Sequence, residues 1–115
     1  MTIDTEFIVQ HLAPLKDCVI DASKEIMDVY LSDDFGEINK SDGSPLTLAD
    51  ERANQIIIDR LKSISPSIPI ISEETFNKES LLNLENVYWL VDPLDGTKEF
   101  VNKTDEFTVN IALIE

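Results

Sequence analysis

Two aspartates, Asp92 and Asp95, stand three residues apart at the end of an apolar run, and Gly96 and Thr97 follow at once. The apolar run, residues 87–91, predicts a buried strand. Carboxylates held at the end of such a strand offer the oxygen ligands that hard cations such as Mg²⁺ require. Free amides near Gly96 and the Thr97 hydroxyl would add groups for an anion and a water molecule. The pattern therefore predicts metal-assisted chemistry on a phosphate.

A second acidic pair, Glu73 and Glu74, follows a short apolar run at residues 68–71. If the two strands are neighbours in one sheet, their carboxylates converge at one edge. Three or four carboxylates this close repel each other, so they require raised pKa values or a cation. Taken alone, Glu73-Glu74 is explained as a solvated turn. Taken with Asp92 and Asp95, it favours a cation site.

Two other interpretations of the Asp-Gly-Thr sequence are considered. Asp95-Gly96 between strands is an ordinary hairpin signal, but Pro93 stiffens the turn and Asp92 adds a second acid. Haloacid-dehalogenase-like phosphatases carry Asp-x-Asp-Gly-Thr, with the nucleophile and the acid two residues apart on a strand end. The spacing of three found here is out of phase with that strand geometry, and this family is rejected.

Size and charge limit the classes of function. At 115 residues and 43% apolar content the chain is one domain or part of one, and it is able to bury a core. A net charge of −14 argues against binding to nucleic acid or anionic membranes, so an anionic substrate requires intervening cations. The single cysteine, Cys18, predicts a reduced, cytoplasmic setting. The N-terminus lacks the basic start of a signal peptide, and no run approaches a membrane span.

The elements that must position these groups follow from the apolar pattern. Apolar residues at spacings of three and four predict one amphipathic helix over residues 5–31, with Pro14 inside it. A core-facing helix is favoured over a coiled coil because the stripe lasts only about three heptads. A short strand is predicted at residues 37–40 and a polar loop at 41–45. Thr47 as N-cap and Asp50 at the capping-box position predict a second helix.

The second helix is expected to end before Pro66. After it we predict a strand at 68–71, a loop at 75–86, a strand at 87–91, a short helix or loop at 98–101 and a strand at 107–114. Trp89 is predicted to lie in the core, and His11 and Cys18 are given no role. An apolar strand next to the last residue would leave an exposed edge. The chain is therefore expected to be the N-terminal part of a larger fold, or to pair with another copy.

The motif Asp92-Pro93-Leu94-Asp95-Gly96-Thr97 follows Trp89-Leu90-Val91 and lies downstream of Ser72-Glu73-Glu74. Together these segments resemble the inositol-monophosphatase superfamily of magnesium-dependent, lithium-sensitive phosphatases. Lys98-Glu99-Phe100 and residues 106–114 are similar to the 3'(2'),5'-bisphosphate nucleotidase branch of the bacterial cysteine-synthesis type, in sulfur metabolism. The resemblance runs from about residue 36 to the C-terminus. It implies an α+β fold, a layered sandwich with a long first helix packed on a mainly antiparallel sheet.

The resemblance also implies metal ligands. Glu73, Asp92 and the backbone carbonyl of Leu94 would bind a first Mg²⁺ ion. Asp92 and Asp95 would hold a second ion, and Glu73 would reach a third through water. The second half of family members supplies a further metal-binding aspartate and most nucleotide contacts. Residues 1–115 would therefore be the N-terminal metal-binding portion. In isolation this portion would lack the groups that the second half supplies for activity.

For the reaction, the resemblance implies that Thr97, hydrogen-bonded to Asp50, orients the attacking water and helps to deprotonate it. Asp50 is equally explained as a capping residue, and the two roles are compatible. Lys40 occupies the position of a mobile-loop lysine near the metals, although a plain surface lysine is the simpler interpretation. The implied substrate-binding residues are Glu73, Asp95, Gly96 and Thr97.

The implied reaction is removal of the 3'-phosphate of adenosine 3',5'-bisphosphate to give AMP. The alternatives are an inositol or sugar monophosphatase, and a non-catalytic acidic domain that binds cations or a partner chain. The expected partners are a small nucleotide bisphosphate and either a second copy or the missing half, with no nucleic acid and no integral membrane segment. The expected location is the cytoplasm, with peripheral inner-membrane association implied by the resemblance.

Overall fold

A computed structural model describes residues 3–75 and 86–115 of the chain. The predicted loop at residues 75–86 lies almost entirely outside them. The elements, in chain order, are α1 (Thr5–Tyr30), β1 (Ile38–Asn39), β2 (Pro45–Leu46), α2 (Leu48–Ile64), β3 (Ile70–Ser72), β4 (Tyr88–Asp95), α3 (Thr97–Val101) and β5 (Thr108–Ile114). The predicted α+β class is confirmed.

Helix α1 confirms the helix predicted over residues 5–31. Asp4 caps it by accepting a hydrogen bond from the Phe7 amide at 2.9 Å, and Pro14 lies inside it. Buried residues recur along one face at spacings of three and four, and this face packs against α2. They are Cys18, Ala22, Ile26, Val29 and, at the end of the helix, Tyr30. Among the described residues, no helix has the length and apolar content needed to cross a bilayer.

Strand β1 confirms the short strand predicted near residues 37–40. Its partner, the two-residue strand β2, was not predicted, because residues 41–45 were assigned to a polar loop. The strands pair antiparallel, with Ile38 opposite Leu46. Asp42 holds the turn between them by accepting hydrogen bonds from the Ser44 amide and hydroxyl. The resulting hairpin leads directly into α2.

Helix α2 begins with the predicted capping box. The Thr47 side chain accepts from the Ala49 amide at 3.2 Å, and the Asp50 carboxylate accepts from the Thr47 amide at 2.8 Å. The inner face of the helix then buries Ala53, Ile57 and Leu61. The helix ends at Ile64, before Pro66, as expected. Its start and its buried face were thus both visible in the sequence.

The larger sheet has the order β3-β4-β5. Strands β3 and β4 are parallel, with Ile70 opposite Trp89, whereas β4 and β5 are antiparallel, with Val91 opposite Ile111. Trp89 and Val91 are buried against α2. Because α2 packs on β4, the strand ends of the sheet and the start of the helix meet in one region.

Strand β4 corrects the prediction of a strand that ends at Val91 and turns at the two acids. The strand continues through Asp95, although it contains Pro93. Asp92 faces Asn110 and Asp95 faces Thr108, so a step of three on β4 matches a step of two on β5. This extra residue is a β-bulge, a place where a strand tolerates a proline that has no N–H to donate.

Helix α3 is held in place by aromatic packing. Phe100 is fully buried, and its ring centroid lies 4.9 Å from that of Phe35, 5.0 Å from that of Tyr30 and 5.1 Å from that of Phe107. Aromatic pairs at such separations contribute beyond the burial of their area. The cluster therefore joins the end of α1, the segment before β1, α3 and the start of β5.

The cluster yields a stability prediction. Phe100→Ala is expected to lower the free energy of unfolding by about 3–5 kcal/mol, because it leaves a cavity among three other rings. Phe7→Ala, which truncates a partly exposed phenylalanine on α1, should cost clearly less. Urea unfolding followed by the fluorescence of Trp89, the single tryptophan, measures both. Equal losses would show that the cluster is not a centre of stability.

Candidate active site

The parallel pairing of β3 and β4 brings the two acidic segments together. Ser72 pairs with Val91, so Glu73 and Asp92 are the next residues along their respective strands. The Glu73 amide donates a hydrogen bond to the Val91 carbonyl at 3.0 Å, which extends the pairing by one step. The expectation that the two strands are neighbours is therefore confirmed.

A cavity of about 780 Å³ opens at this edge of the sheet. All the site residues predicted from the sequence contribute to its lining except Asp50, which lies beneath it with no exposed surface. The predicted residues in the lining are Glu73, Glu74, Asp92, Leu94, Asp95, Gly96, Thr97 and Lys40. The structure thus assembles at one place residues that are spread over more than half of the chain.

Asp92 carries the clearest electrostatic signature of the site. Burial, followed by repulsion from Glu73 and Asp95, raises the pKa of Asp92 from 3.8 to about 6. A hydrogen bond involving the Leu94 backbone opposes this only in part. A group near the point of protonation, surrounded by other acids, is stabilised as a carboxylate by any cation that binds beside it.

Lys40 extends from the hairpin to the acids. Its ammonium group donates to the Glu74 carboxylate at 3.0 Å. Burial alone would lower the pKa of Lys40, but the hydrogen bond and attraction from Glu74 raise it. The Glu74 side chain is only 8% exposed, and burial raises its pKa in spite of Lys40. Lys40 is therefore not a plain surface lysine.

Asp50 and Thr97 are connected directly. The Thr97 hydroxyl donates to Asp50 Oδ1 at 2.8 Å, while Asp50 Oδ2 accepts from the Thr47 amide at 2.8 Å and from its hydroxyl at 2.7 Å. The buried Asp50 carboxylate thus both caps α2 and accepts a hydrogen bond from Thr97. With its proton directed at Asp50, the Thr97 oxygen keeps its lone pairs for a proton from elsewhere.

Backbone groups complete the site near Leu94 and Gly96. The Leu94 side chain is buried, so its carbonyl is the part that belongs to the cavity, and that oxygen also lies 3.2 Å from the Thr97 hydroxyl. Gly96 has φ +93°, in the left-handed region. A Cβ atom at Gly96 would lie 2.6 Å from the Glu106 carbonyl oxygen, so a larger residue would force the backbone to shift. The amides of Gly96 and Thr97 as phosphate ligands stay a prediction.

Two buried polar contacts between α2 and the sheet were not predicted. The Ser72 hydroxyl donates to the Asn54 side-chain oxygen, which is four residues after Asp50 on the same helix. The Trp89 indole N–H donates to the Ser65 hydroxyl at 2.8 Å, which confirms Trp89 as a core residue. The four-residue spacing of Asp50 and Asn54 on one helical face was the only signal available in the sequence.

The donors of the site match the chemistry of Mg²⁺. Carboxylates of Glu73, Asp92 and Asp95, with the Leu94 carbonyl, are all oxygen ligands. Within residues 3–75 and 86–115, however, no group of three or more acid, histidine or cysteine side chains is placed to hold an ion as it stands. Side chains of the cluster would have to turn toward a bound ion.

Comparison with known proteins agrees with this arrangement. The model of the Inositol monophosphatase family matches residues 10–115. The 3'(2'),5'-bisphosphate nucleotidase CysQ of Buchnera aphidicola is 56% identical over 92 residues, which are 78% of this chain and 34% of that protein. The solved structure of CysQ from Bacteroides thetaiotaomicron has a TM-score of 0.74 at 36% identity, over 97% of this chain and 40% of that one.

A solved IMPase/NADP phosphatase complexed with Mg²⁺ and phosphate has a TM-score of 0.70 at 20% identity, over 95% of this chain and 39% of that one. At this identity the likeness concerns the fold, which is the layered sandwich expected from the sequence. The chain spans 34% to 40% of the length of these CysQ relatives.

The contact at Gly96 predicts a specific cost for substitution. Gly96→Ala and Gly43→Ala both place a side chain on a left-handed backbone, at a cost of about 1 kcal/mol each. Gly43 has open space around it, whereas Gly96 faces the Glu106 carbonyl. Urea unfolding should therefore show a larger loss of stability for Gly96→Ala. Equal losses would mean that the loop before β5 moves away from the new side chain without a further loss of stability.

The raised pKa of Asp92 predicts a pH-dependent response to Mg²⁺. Without divalent cations, the folded chain binds a proton at Asp92 more tightly than the unfolded chain does, so this stabilisation is lost as the pH rises through about 6. Mg²⁺ competes with that proton. Thermal unfolding should therefore show more stabilisation by MgCl₂ at about pH 7 than at about pH 5. An equal effect at both pH values would argue against Asp92 as a ligand.

Proposed function

Because the chain belongs to the inositol monophosphatase family, we propose that its cavity is the metal-binding half of a phosphatase site. The proposed reaction is Mg²⁺-dependent hydrolysis of adenosine 3',5'-bisphosphate to AMP and phosphate. The observation that carries this proposal is the Thr97 hydroxyl, fixed by the buried Asp50 at the rim of the cluster that holds Asp92. A proton acceptor and acidic oxygens are among the parts that such a hydrolysis needs.

When bound, Mg²⁺ would polarise the phosphate and lower the pKa of the attacking water. Glu73, Asp92, Asp95 and the Leu94 carbonyl are the residues proposed to hold it. The Thr97 oxygen is proposed to accept a hydrogen bond from the water and so to orient it, because its own proton is directed at Asp50. As the water attacks, the Thr97 oxygen would take up a proton of that water while its own proton passes to Asp50 Oδ1.

The substrate class rests on two kinds of support. CysQ proteins at up to 56% identity bear the name 3'(2'),5'-bisphosphate nucleotidase. In addition, Lys98 and Glu99, from the segment similar to that branch, line the cavity next to Thr97. A chain of net charge −14 binds such an anion only with cations between them. The cytoplasmic location and pairing with a second copy or a further segment stay predictions.

Phosphate release tests the proposal. The 115-residue chain is incubated with adenosine 3',5'-bisphosphate or inositol 1-phosphate, with MgCl₂ or with EDTA. We expect release from the nucleotide with MgCl₂, and a loss of at least about a hundredfold in Asp92→Asn, because a neutral amide is a poor ligand for Mg²⁺. Asp33→Asn, which neutralises an exposed acid outside the cavity, should retain activity.

The outcomes separate the alternatives. Preference for inositol 1-phosphate would assign the chain to the inositol or sugar phosphatases. Mg²⁺ binding by a folded chain without release from either substrate would favour the non-catalytic acidic domain. Asp92→Asn relieves repulsion among the acids, so it is expected to fold at least as well as the parent chain. Lost activity in this variant would then reflect chemistry rather than unfolding.

A further inference from the structure

Asn54 occupies an unusual position for a neutral polar side chain. It is 7% exposed and lies on the inner face of α2, one helical turn after Asp50. Its oxygen accepts a hydrogen bond of 2.5 Å from the hydroxyl of Ser72, which is itself 1% exposed. Burying two polar groups costs free energy unless they are paired, so this contact fixes both side chains.

Ser72 is the last residue of β3, directly before Glu73. Its hydroxyl oxygen also accepts a long contact from the Glu74 amide at 3.4 Å, and its carbonyl accepts from the Thr75 amide at 3.2 Å. Ser72 therefore anchors the turn that carries both acids. Because Asn54 on α2 holds the Ser72 hydroxyl, it fixes the residue from which this turn starts.

The two polar residues of α2 thus serve different strands. Asp50 holds Thr97 after the end of β4, and Asn54 holds Ser72 at the end of β3. The acids of the cluster come from these same two strand ends. An asparagine supplies the acceptor without adding another negative charge next to Glu73 and Asp50, where repulsion is already high.

We infer that Asn54 is a positioning residue, which sets the direction of Glu73 toward the cation through the Ser72 hydroxyl. This inference rests on the proposed function only in taking Glu73 as a ligand of Mg²⁺. Partners of this kind orient the groups that contact a metal, and their loss typically weakens metal binding by about tenfold to a hundredfold. Asn54 does not contact the ion or the substrate in this scheme.

Isothermal titration of the chain with MgCl₂ alone tests the inference. Asn54→Ala and Ser72→Ala should each weaken Mg²⁺ binding by about tenfold. The double variant should bind no more weakly than either single variant, because both changes break the same contact. Ser72→Ala removes one oxygen atom and leaves little space, so it carries the test if Asn54→Ala does not fold.

Ser65→Ala is the matched control. It breaks the buried hydrogen bond from Trp89, which joins the same helix to the same sheet at the end away from the site. It should lower stability in urea as the other variants do, while Mg²⁺ affinity stays unchanged. Equal weakening by Ser65→Ala, or unchanged affinity in Asn54→Ala, would show that Asn54 is only a packing residue. A parent chain that binds no Mg²⁺ would instead overturn the metal site itself, and this inference with it.

Discussion

The parallel pairing of β3 with β4 places Glu73 and Asp92 side by side at one edge of the sheet, and most features of the site follow from this constraint. Burial, followed by repulsion from Glu73 and Asp95, raises the pKa of Asp92 to about 6, so its negative charge is poorly compensated in the absence of a cation. Lys40 offsets part of the charge at Glu74. The remainder of the cluster is the region in which a divalent cation would be stabilised most.

Helix α2 supports this arrangement through three polar contacts, two of them fully buried. Asp50 reaches Thr97, Asn54 reaches Ser72 and Ser65 receives the indole of Trp89. Apolar packing through Ile57 and Leu61 fixes the distance between helix and sheet, but packing alone is not directional. The polar contacts add direction, since hydrogen bonds require defined angles. The helix therefore sets both the spacing and the rotation of the strand ends.

Part of this structure was predictable because it depends on local patterns. The extent of α1 and the apolar face of its second half, the capping box of α2 and the convergence of two strands that end in acids follow from spacings within short segments, whereas Ile8 and Leu12 of the same apolar stripe stay exposed. Strand β2 is too short to leave a pattern, and Pro93 argued locally for a turn where a bulge in β4 itself allows the strand to continue. The contacts of Lys40 with Glu74 and of Asn54 with Ser72 join residues 34 and 18 positions apart. Only tertiary packing decides such pairs.

The two duties of Asp50 affect how related sequences should be compared. One carboxylate caps α2 and holds Thr97, so a diverged copy would need Asp50 for folding whether or not Asp50 also serves the proposed reaction. Thr97 has no comparable structural duty in α3, where Gly96 is the N-cap. An aspartate at position 50 therefore says little about retained activity in a diverged copy. Under the proposed function, the residue at position 97 is the more informative marker of whether a diverged copy keeps the reaction.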